Sequence, residues 1–353
     1  MTTPRLRAAM STLPAYVPGR KIPGAVVLAS NESPYGLLPS VADVLATHAA
    51  GVSRYPDMGS TRLIEAIAAH HGVEPDRVAV GAGSVEVCGQ LASAAVDGGD
   101  EVVYGWRAFE AYPIITAVVG GTPVPVPLTS GHVHDVAAMA AAVTSRTRLV
   151  LLCNPNNPTG TAVGGAELER LVDGVPADVL VVIDEAYREY VDPDAVPDAF
   201  TLLGDRPNVV VTRTFSKAYA LAGLRVGYCL ASAAVAAAVR KCQVPFSVSA
   251  LAQEAAIAAL GDTEEVARRA KLTVAERERV RAALLETGYD VPPSQANFVW
   301  LPLGDRAADF AAACLSAGVI VRPFAGDGVR VTIGTDQEND RFLEAARGWR
   351  AAG

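Results

Sequence analysis

A lysine follows a buried apolar segment in the middle of the chain. Lys217 comes shortly after the run 209–211, which reads as a buried strand. A partly desolvated lysine beside another cation loses its proton more readily, and the neutral amine attacks carbonyl carbon. Arg225 supplies that cation, and its planar guanidinium suits a phosphate dianion. Thr214 and Ser216 add hydroxyl groups on the same loop. An isolated Ser-Lys pair is more often part of an exposed loop. The prediction of a reactive lysine therefore depends on the residues around it.

A carboxylate ends a second apolar run. Asp184 follows residues 179–183, and a carboxylate in such a position needs a cationic partner or a proton. The protonated nitrogen of a pyridine ring is a suitable partner. Tyr187 and Asn157, which follow two predicted strands, add a phenol and an amide as hydrogen-bond donors. The structural alternatives are a helix-capping aspartate and ordinary turn chemistry around the asparagine.

An anion site is predicted where the strand 78–81 passes through a glycine turn into a helix. Free backbone N–H groups at a helix N-terminus favour an anion, so Gly83, Ser84 and Val85 are expected to line it. The third glycine of a dinucleotide fingerprint is missing, and no Gly-Lys-Ser/Thr loop is present. Dinucleotide and nucleoside triphosphate sites are therefore disfavoured.

These groups together meet the requirements of pyridoxal 5'-phosphate: an amine, an acid for the ring nitrogen, donors at the 3'-oxygen and a grip on the phosphate. In such a pocket Lys217 would move the proton of the substrate α-carbon. Decarboxylation and β-elimination use the same kind of pocket and stay open on the residues alone. A non-catalytic regulator and a dinucleotide-dependent oxidoreductase are the alternatives from other classes.

The chain resembles class II aminotransferases of the fold-type I superfamily, in the histidinol-phosphate aminotransferase branch. The resemblance is carried by residues 29–32, 54–57, 154–160, 184–187, 214–217, 225–227 and 329–334. It implies an α/β fold with a large domain, built on a mostly parallel seven-stranded sheet flanked by helices, and a smaller α+β domain. We expect the large domain to span 46–245, and the small domain to combine 1–45 with 246–353.

The resemblance also implies residue roles. Lys217 would form the Schiff base, Asp184 would pair with the pyridine nitrogen, and Tyr187 would complete the catalytic set. The cofactor-binding residues would be Gly83, Ser84, Val85, Phe109, which stacks on the ring, Asn157, Asp184, Tyr187, Thr214, Ser216, Lys217, Arg225 and Tyr55. Tyr55 matches a tyrosine that reaches the phosphate of the neighbouring subunit, so the active site would be shared across a homodimer.

Four residues are expected to bind substrate: Arg330, Arg322, Asn31 and Tyr16. Arg330 matches the arginine that pairs with the substrate carboxylate, a two-pronged contact that lysine makes poorly. Its structural alternative is a surface arginine at a strand edge. Arg322 has two open interpretations, because it either helps to bind the phosphate of histidinol phosphate or steers carboxylates.

The substrate class is indicated by a segment that differs from the histidinol-phosphate aminotransferase pattern. Residues 105–113 lack the Pro-Thr-aromatic string of histidinol-phosphate enzymes and resemble actinobacterial aromatic amino acid aminotransferases, as do residues 16–19 and 292–300. The resemblance implies ping-pong transamination, in which phenylalanine, tyrosine or tryptophan exchanges its amino group with 2-oxoglutarate. Histidinol phosphate is the alternative.

Composition narrows the class of protein further. The chain has 353 residues, half of them apolar, and a formal net charge of −8. That charge argues against a nucleic-acid surface, which needs a basic stripe. No uncharged apolar run of eighteen residues and no secretory core are apparent, so a cytoplasmic protein without a membrane segment is expected. The five cysteines read as buried thiols, and residues 132–135 as a solvated loop without a metal.

Overall fold

The computed structural model describes residues 22–203 and 205–352, together with Pro4, Arg7, Ala9 and Leu13. Within these residues the strands are β1 (Val26–Val27), β2 (Val78–Gly81), β3 (Glu101–Trp106), β4 (Thr122–Pro127), β5 (Thr147–Cys153), β6 (Leu180–Asp184), β7 (Val209–Thr214), β8 (Gly227–Leu230), β9 (Phe298–Leu301), β10 (Val319–Ile320), β11 (Arg322–Phe324) and β12 (Gly328–Thr332).

The helices begin and end as follows: α1 (Pro39–His48), α2 (Thr61–His71), α3 (Ser84–Ala95), α4 (Ala111–Val119), α5 (Val136–Ala141), α6 (Gly165–Asp173), α7 (Ala199–Leu203), α8 (Ala233–Lys241), α9 (Ala250–Gly261), α10 (Thr263–Glu286), α11 (Ala307–Ser316) and α12 (Asp336–Ala352). The side chain of Ser249 caps α9 by accepting a hydrogen bond from the Ala252 N–H (3.2 Å).

The main sheet has seven strands in the order β2-β8-β7-β6-β5-β3-β4. β8 runs antiparallel to both of its neighbours, and the other pairs are parallel. The predicted α/β fold with a mostly parallel seven-stranded sheet is therefore confirmed. The carboxyl ends of β5, β6 and β7 lie side by side, where open parallel sheets collect their functional groups.

Both faces of this sheet are buried, because side chains alternate between two apolar cores. Val182 and Val210 face α3, α4 and α8, whereas Val181, Ile183 and Val211 face α5 and α6. The continuous apolar runs seen in the sequence are thus the inner strands. Polar residues that end such a run are held by a packed scaffold.

A smaller unit is built on the antiparallel sheet β11-β12-β9 and covered by α11 and α12. β1 joins it through parallel pairing with β10. α10 contributes Val266 and Ala270 to the core around α1, α2 and α9, and Val280 and Leu284 to the core of the smaller unit. One rigid helix therefore connects the two cores.

Two local predictions were wrong. His134 is buried rather than solvated, because its ring packs under Gly105 and its Nε2 bonds the Cys153 carbonyl at 3.0 Å. Burial lowers the pKa of His134 to about 4, so the ring stays neutral. Cys242 is only partly buried, since it caps the exposed end of α8, whereas the other four thiols are buried.

Two classes of feature are absent from the part of the chain that is described. No helix there is long and apolar enough to cross a membrane. The same residues contain no cluster of three or more histidine, cysteine, aspartate or glutamate side chains arranged to hold a metal ion.

Candidate active site

One cavity opens at the carboxyl ends of β5, β6 and β7, and most of the predicted site residues line it. They are Asn31, Ser84, Val85, Phe109, Asn157, Asp184, Tyr187, Thr214, Ser216, Lys217, Arg225, Arg322 and Arg330. Gly83 lies directly behind Ser84 at the start of α3. Tyr55 does not line this cavity, and Tyr16 lies outside the described residues.

The acid of the site is deeply buried. Asp184 is 2% exposed and accepts hydrogen bonds from Thr212 Oγ1 and Tyr112 Oη, both at 3.0 Å. Burial raises the pKa of Asp184 to about 6, although both hydroxyl groups pull it down. Within the residues described, no lysine or arginine forms a salt bridge with this carboxylate. A cationic ring nitrogen would supply that partner.

The amine of Lys217 lines the same cavity. Lys217 Nζ donates a hydrogen bond to the Ser30 carbonyl at 3.2 Å. Burial lowers the pKa of Lys217 to about 7, with further lowering by Arg330 and Arg225 against an opposing effect of Glu32. A large fraction of the amine is therefore neutral near neutral pH. Such an amine is a nucleophile for an aldehyde and a proton carrier.

The predicted anion site is assembled from α3 and the loop after β7. Arg225 Nη1 bonds Ser216 Oγ at 3.3 Å, and Thr214 Oγ1 bonds the same hydroxyl at 3.0 Å. Gly83 has a φ of +86°, and a Cβ there would collide with the Arg225 guanidinium. Glycine is thus required for the close approach of this arginine to the N-terminus of α3. Hydroxyl, guanidinium and backbone N–H donors are therefore brought together, as the binding of a phosphate group requires.

A chain of polar side chains joins the two units of the fold beside the cavity. Asn31 Nδ2 donates to Tyr187 Oη at 2.9 Å, and Thr332 Oγ1 donates to Asn31 Oδ1 at 3.0 Å. Asn297 holds the Asn31 carbonyl at 3.1 Å. Burial raises the pKa of Tyr187, so its phenol keeps its proton and can donate a hydrogen bond.

Arg330 reaches from β12 across the cavity. Its Nη1 donates to Asn157 Oδ1 at 2.5 Å, and its Nη2 donates to the Ala29 carbonyl at 2.6 Å. The guanidinium carbon lies 5.5 Å from the ring centre of Phe298 and 5.7 Å from that of Phe324. Arg330 is 8% exposed, so it is not the surface arginine of the alternative interpretation.

Two ion pairs bridge the loop after β3 and the hairpin β11–β12. Arg322 Nη2 lies 2.9 Å from Glu110 Oε2, and Arg107 Nε lies 2.6 Å from Asp327 Oδ2. Glu110 and Arg322 line the cavity, whereas the other pair does not. The Glu110–Arg322 pair is therefore the one of the two that a bound molecule could contact in this cavity.

Tyr55 occupies a different surface. It is 82% exposed and stacks on Phe246, with ring centres 4.6 Å apart. Val52 and Met58 are exposed beside it in the sequence, at 63% and 55%. Large apolar side chains exposed together are typical of an interaction surface.

Several residues of the cavity and its support were not predicted as site residues from the sequence: Ser30, Glu110, Tyr112, Thr212 and Phe324. Tyr112 and Glu110 belong to the string 105–113, which indicated only a substrate class. Thr212 could have been predicted, because residues two positions apart on a strand point to the same face, and Thr212 therefore shares a face of β7 with Thr214.

A family model for class I and II aminotransferases matches residues 23–345. The chain belongs to the class I and II aminotransferase family. This aminotransferase is 57% identical to an aromatic amino acid aminotransferase of Rhodococcus jostii over 98% of this chain and 96% of that protein. It is 55% identical to one of Streptomyces avermitilis over 99% and 98% of the two chains.

Solved structures agree with the fold. Histidinol-phosphate aminotransferase from Sinorhizobium meliloti, solved in complex with pyridoxal-5'-phosphate, is 31% identical and superposes with a TM-score of 0.90 over 99% of both chains. N-Succinyldiaminopimelate aminotransferase from Mycobacterium tuberculosis is 26% identical, with a TM-score of 0.83 over 92% of this chain and 93% of that chain. The aminotransferase is therefore a fold-type I enzyme, as the sequence predicted.

Proposed function

We propose that this aminotransferase binds pyridoxal 5'-phosphate and transfers amino groups between aromatic amino acids and 2-oxoglutarate by a ping-pong route. One observation carries the proposal: Lys217, with a pKa lowered to about 7, shares a cavity with the buried carboxylate of Asp184. An amine poised near neutral pH and an acid that lacks a salt bridge within the described residues are complementary to an aldehyde and a ring nitrogen. The named relatives support the same reaction.

The residues divide the work of holding this cofactor. Arg225, Thr214, Ser216 and the start of α3 would hold the phosphate, and Asp184 would keep the ring nitrogen protonated. Tyr187 and Asn157 would bind the 3'-oxygen, and Phe109 would pack on the ring. When bound, the cofactor supplies an electron sink for the electrons left at the substrate α-carbon.

Lys217 moves the proton in the reaction. Lys217 and Arg330 line the same cavity, so a substrate whose carboxylate pairs with Arg330 would present its α-carbon proton to the neutral amine. The hydrogen bond from Nζ to the Ser30 carbonyl keeps the amine at the cavity wall. Asn31, which bonds Tyr187, fixes the position of the phenol beside it.

Aromatic side chains fit the remaining wall of the cavity. Phe109 and Phe324 line it, and the nearby charge of Arg322 is balanced by Glu110. An uncharged ring is therefore accommodated without an unpaired ion, in line with the two relatives named for aromatic amino acids. Tyr16 is a further proposed contact on the substrate.

The working unit is proposed to be a homodimer. Tyr55, Val52 and Phe246 form an exposed apolar surface, and Tyr55 would complete the phosphate site of the partner. We retain the division into a large domain (46–245) and a small domain (1–45 with 246–353). The enzyme is placed in the cytoplasm, where thiols such as Cys88 and Cys153 stay reduced.

Steady-state kinetics test the reaction. Initial rates with phenylalanine varied at several fixed concentrations of 2-oxoglutarate should give parallel double-reciprocal lines, since the first product leaves before the second substrate binds. Formation of pyruvate from cystathionine, without amino transfer to 2-oxoglutarate, would instead assign a carbon–sulfur lyase and overturn the proposal.

A further inference from the structure

Two arginines face each other across the hairpin at the cavity. Arg322 on β11 is directly paired with Arg330 on β12 in the antiparallel register. Side chains at such opposed positions lie on the same face of a sheet, and like charges placed there repel. Both arginines line the cavity. The electrostatic potential at this wall of the cavity therefore depends on the groups that contact each guanidinium.

The two guanidinium groups have different contacts. Arg330 donates hydrogen bonds to the Asn157 side chain and the Ala29 carbonyl. Arg322 contacts a carboxylate, Glu110 Oε2, at 2.9 Å. The side chains of this pair are 17% and 32% exposed, so solvent screens the pair only partly. Glu110 thus cancels one of the two positive charges.

We propose that Glu110 is a specificity-determining residue, whose carboxylate neutralises Arg322 and biases the pocket toward substrates with uncharged side chains. The inference rests on the proposed function and deepens it. The proposed contact of Arg330 is the α-carboxylate that all amino acid substrates share. A side chain bearing phosphate or a second carboxylate meets the Glu110 carboxylate and has to displace it from Arg322.

The chemistry of the wall supports this division. Phe324 lies under Arg322, with 5.6 Å between the guanidinium carbon and the ring centre, and Phe109 lines the same cavity. An apolar ring loses nothing by packing against a neutral ion pair and two rings. A dianionic side chain binds favourably only after the salt bridge between Glu110 and Arg322 has been broken. Discrimination then comes from an unfavourable contact with the wrong substrate.

The experiment compares three variants of the cofactor-loaded protein. Glu110→Gln removes the charge and keeps the size of the side chain, and Glu110→Gln with Arg322→Gln removes both charges. Asp327→Asn is the matched control, because it removes the carboxylate of the neighbouring salt bridge with Arg107, which does not line the cavity. Thermal unfolding establishes that each variant is folded, and Glu110→Ala replaces Glu110→Gln if the latter is not.

Binding is measured by calorimetry with 3-phenylpropionate, which has one carboxylate and a ring, and with glutarate, which has two carboxylates. Glu110→Gln should shift the ratio of the dissociation constants at least about tenfold toward glutarate. Single-turnover rates should shift the same way, from phenylalanine toward histidinol phosphate. The double variant should lose this gain, and Asp327→Asn should keep the ratio of the unmodified protein.

An unchanged ratio in Glu110→Gln overturns the proposal, as does an equal gain in the double variant, because the effect would then not pass through Arg322. A failure of the proposed function looks different, since the unmodified protein would not react with phenylalanine at all. The calorimetric ratio still tests the role of Glu110 in that case.

Discussion

Tyr112 donates a hydrogen bond from its phenol to Asp184 Oδ2 at 3.0 Å, so a residue of α4 fixes the carboxylate at the end of β6. Thr212 Oγ1 holds the other oxygen at the same distance. The carboxylate is therefore oriented from two sides. Its remaining lone pairs can accept a hydrogen bond from a ring nitrogen.

Replacing Tyr112 by phenylalanine should weaken cofactor binding. Loss of a hydrogen bond to a charged group costs about 1.5–3 kcal/mol, which corresponds to a dissociation constant raised roughly tenfold to hundredfold. The measurement is a fluorescence titration of the cofactor-free variant with pyridoxal 5'-phosphate. Tyr104→Phe is the control, because the Tyr104 ring lies 6.2 Å from that of Tyr112 and is equally buried. Equal dissociation constants in the two variants would contradict the role of Tyr112.

Lys217 should destabilise the cofactor-free protein below neutral pH. Its pKa is about 7 in the folded state and about 10.4 in the unfolded state. Between these values the unfolded state binds more protons, so the free energy of unfolding rises with pH. The penalty is complete below pH 7 and vanishes above the unfolded pKa.

Lys217→Met should therefore raise the free energy of unfolding of the cofactor-free protein at pH 6, by on the order of 2 kcal/mol after allowance for solvent screening. The advantage should fade toward pH 10. Unfolding midpoints at both pH values give the comparison, with the exposed Lys271→Met as control. A variant less stable than the parent at pH 6 would contradict the lowered pKa of Lys217.

Arg330→Lys should act mainly on substrate binding. Lysine retains the charge and loses the two-pronged geometry, so KM for phenylalanine should rise about tenfold to hundredfold with a smaller change in kcat. The KM for 2-oxoglutarate should rise in parallel, because both substrates present a carboxylate. The exposed Arg350→Lys is the control. A loss confined to kcat would speak against carboxylate binding.

The proposed shared site predicts complementation between two inactive variants. Tyr55→Ala and Lys217→Ala chains, mixed, unfolded and refolded together, form hybrids in which one site has both an intact lysine and an intact partner tyrosine. An equal mixture should recover about one quarter of the parent activity, the share of sites that are complete. Activity no greater than that of the separate variants would place Tyr55 outside the partner's site.

Much of this site was predictable from sequence, because each polar string follows an apolar run. Asp184 and Lys217 were placed at strand ends by that pattern, and the structure puts both at one edge of the main sheet. The contacts that support them were not predictable. Glu110 and Arg322 are 212 positions apart, and Asn31 and Tyr187 are 156 apart. Such pairs are set by how α4, β11 and the segment after β1 pack, which no local spacing records.

His134 is a residue whose burial could not be predicted from the sequence. Its neighbours are turn-forming residues, so the sequence predicted exposure. Burial followed from a tertiary fit under Gly105, where a side chain would occupy the space of the imidazole. Periodicity could not indicate this fit, because it involves one residue from a loop and one from β3.

The most direct test mixes the cofactor-loaded enzyme with a single amino acid and follows the change in cofactor absorbance during one half-reaction. We expect faster conversion with phenylalanine than with histidinol phosphate, and no conversion with either in Lys217→Ala. Faster conversion with histidinol phosphate would contradict the assignment to aromatic substrates. Conversion by Lys217→Ala at the parent rate would contradict the central role of Lys217.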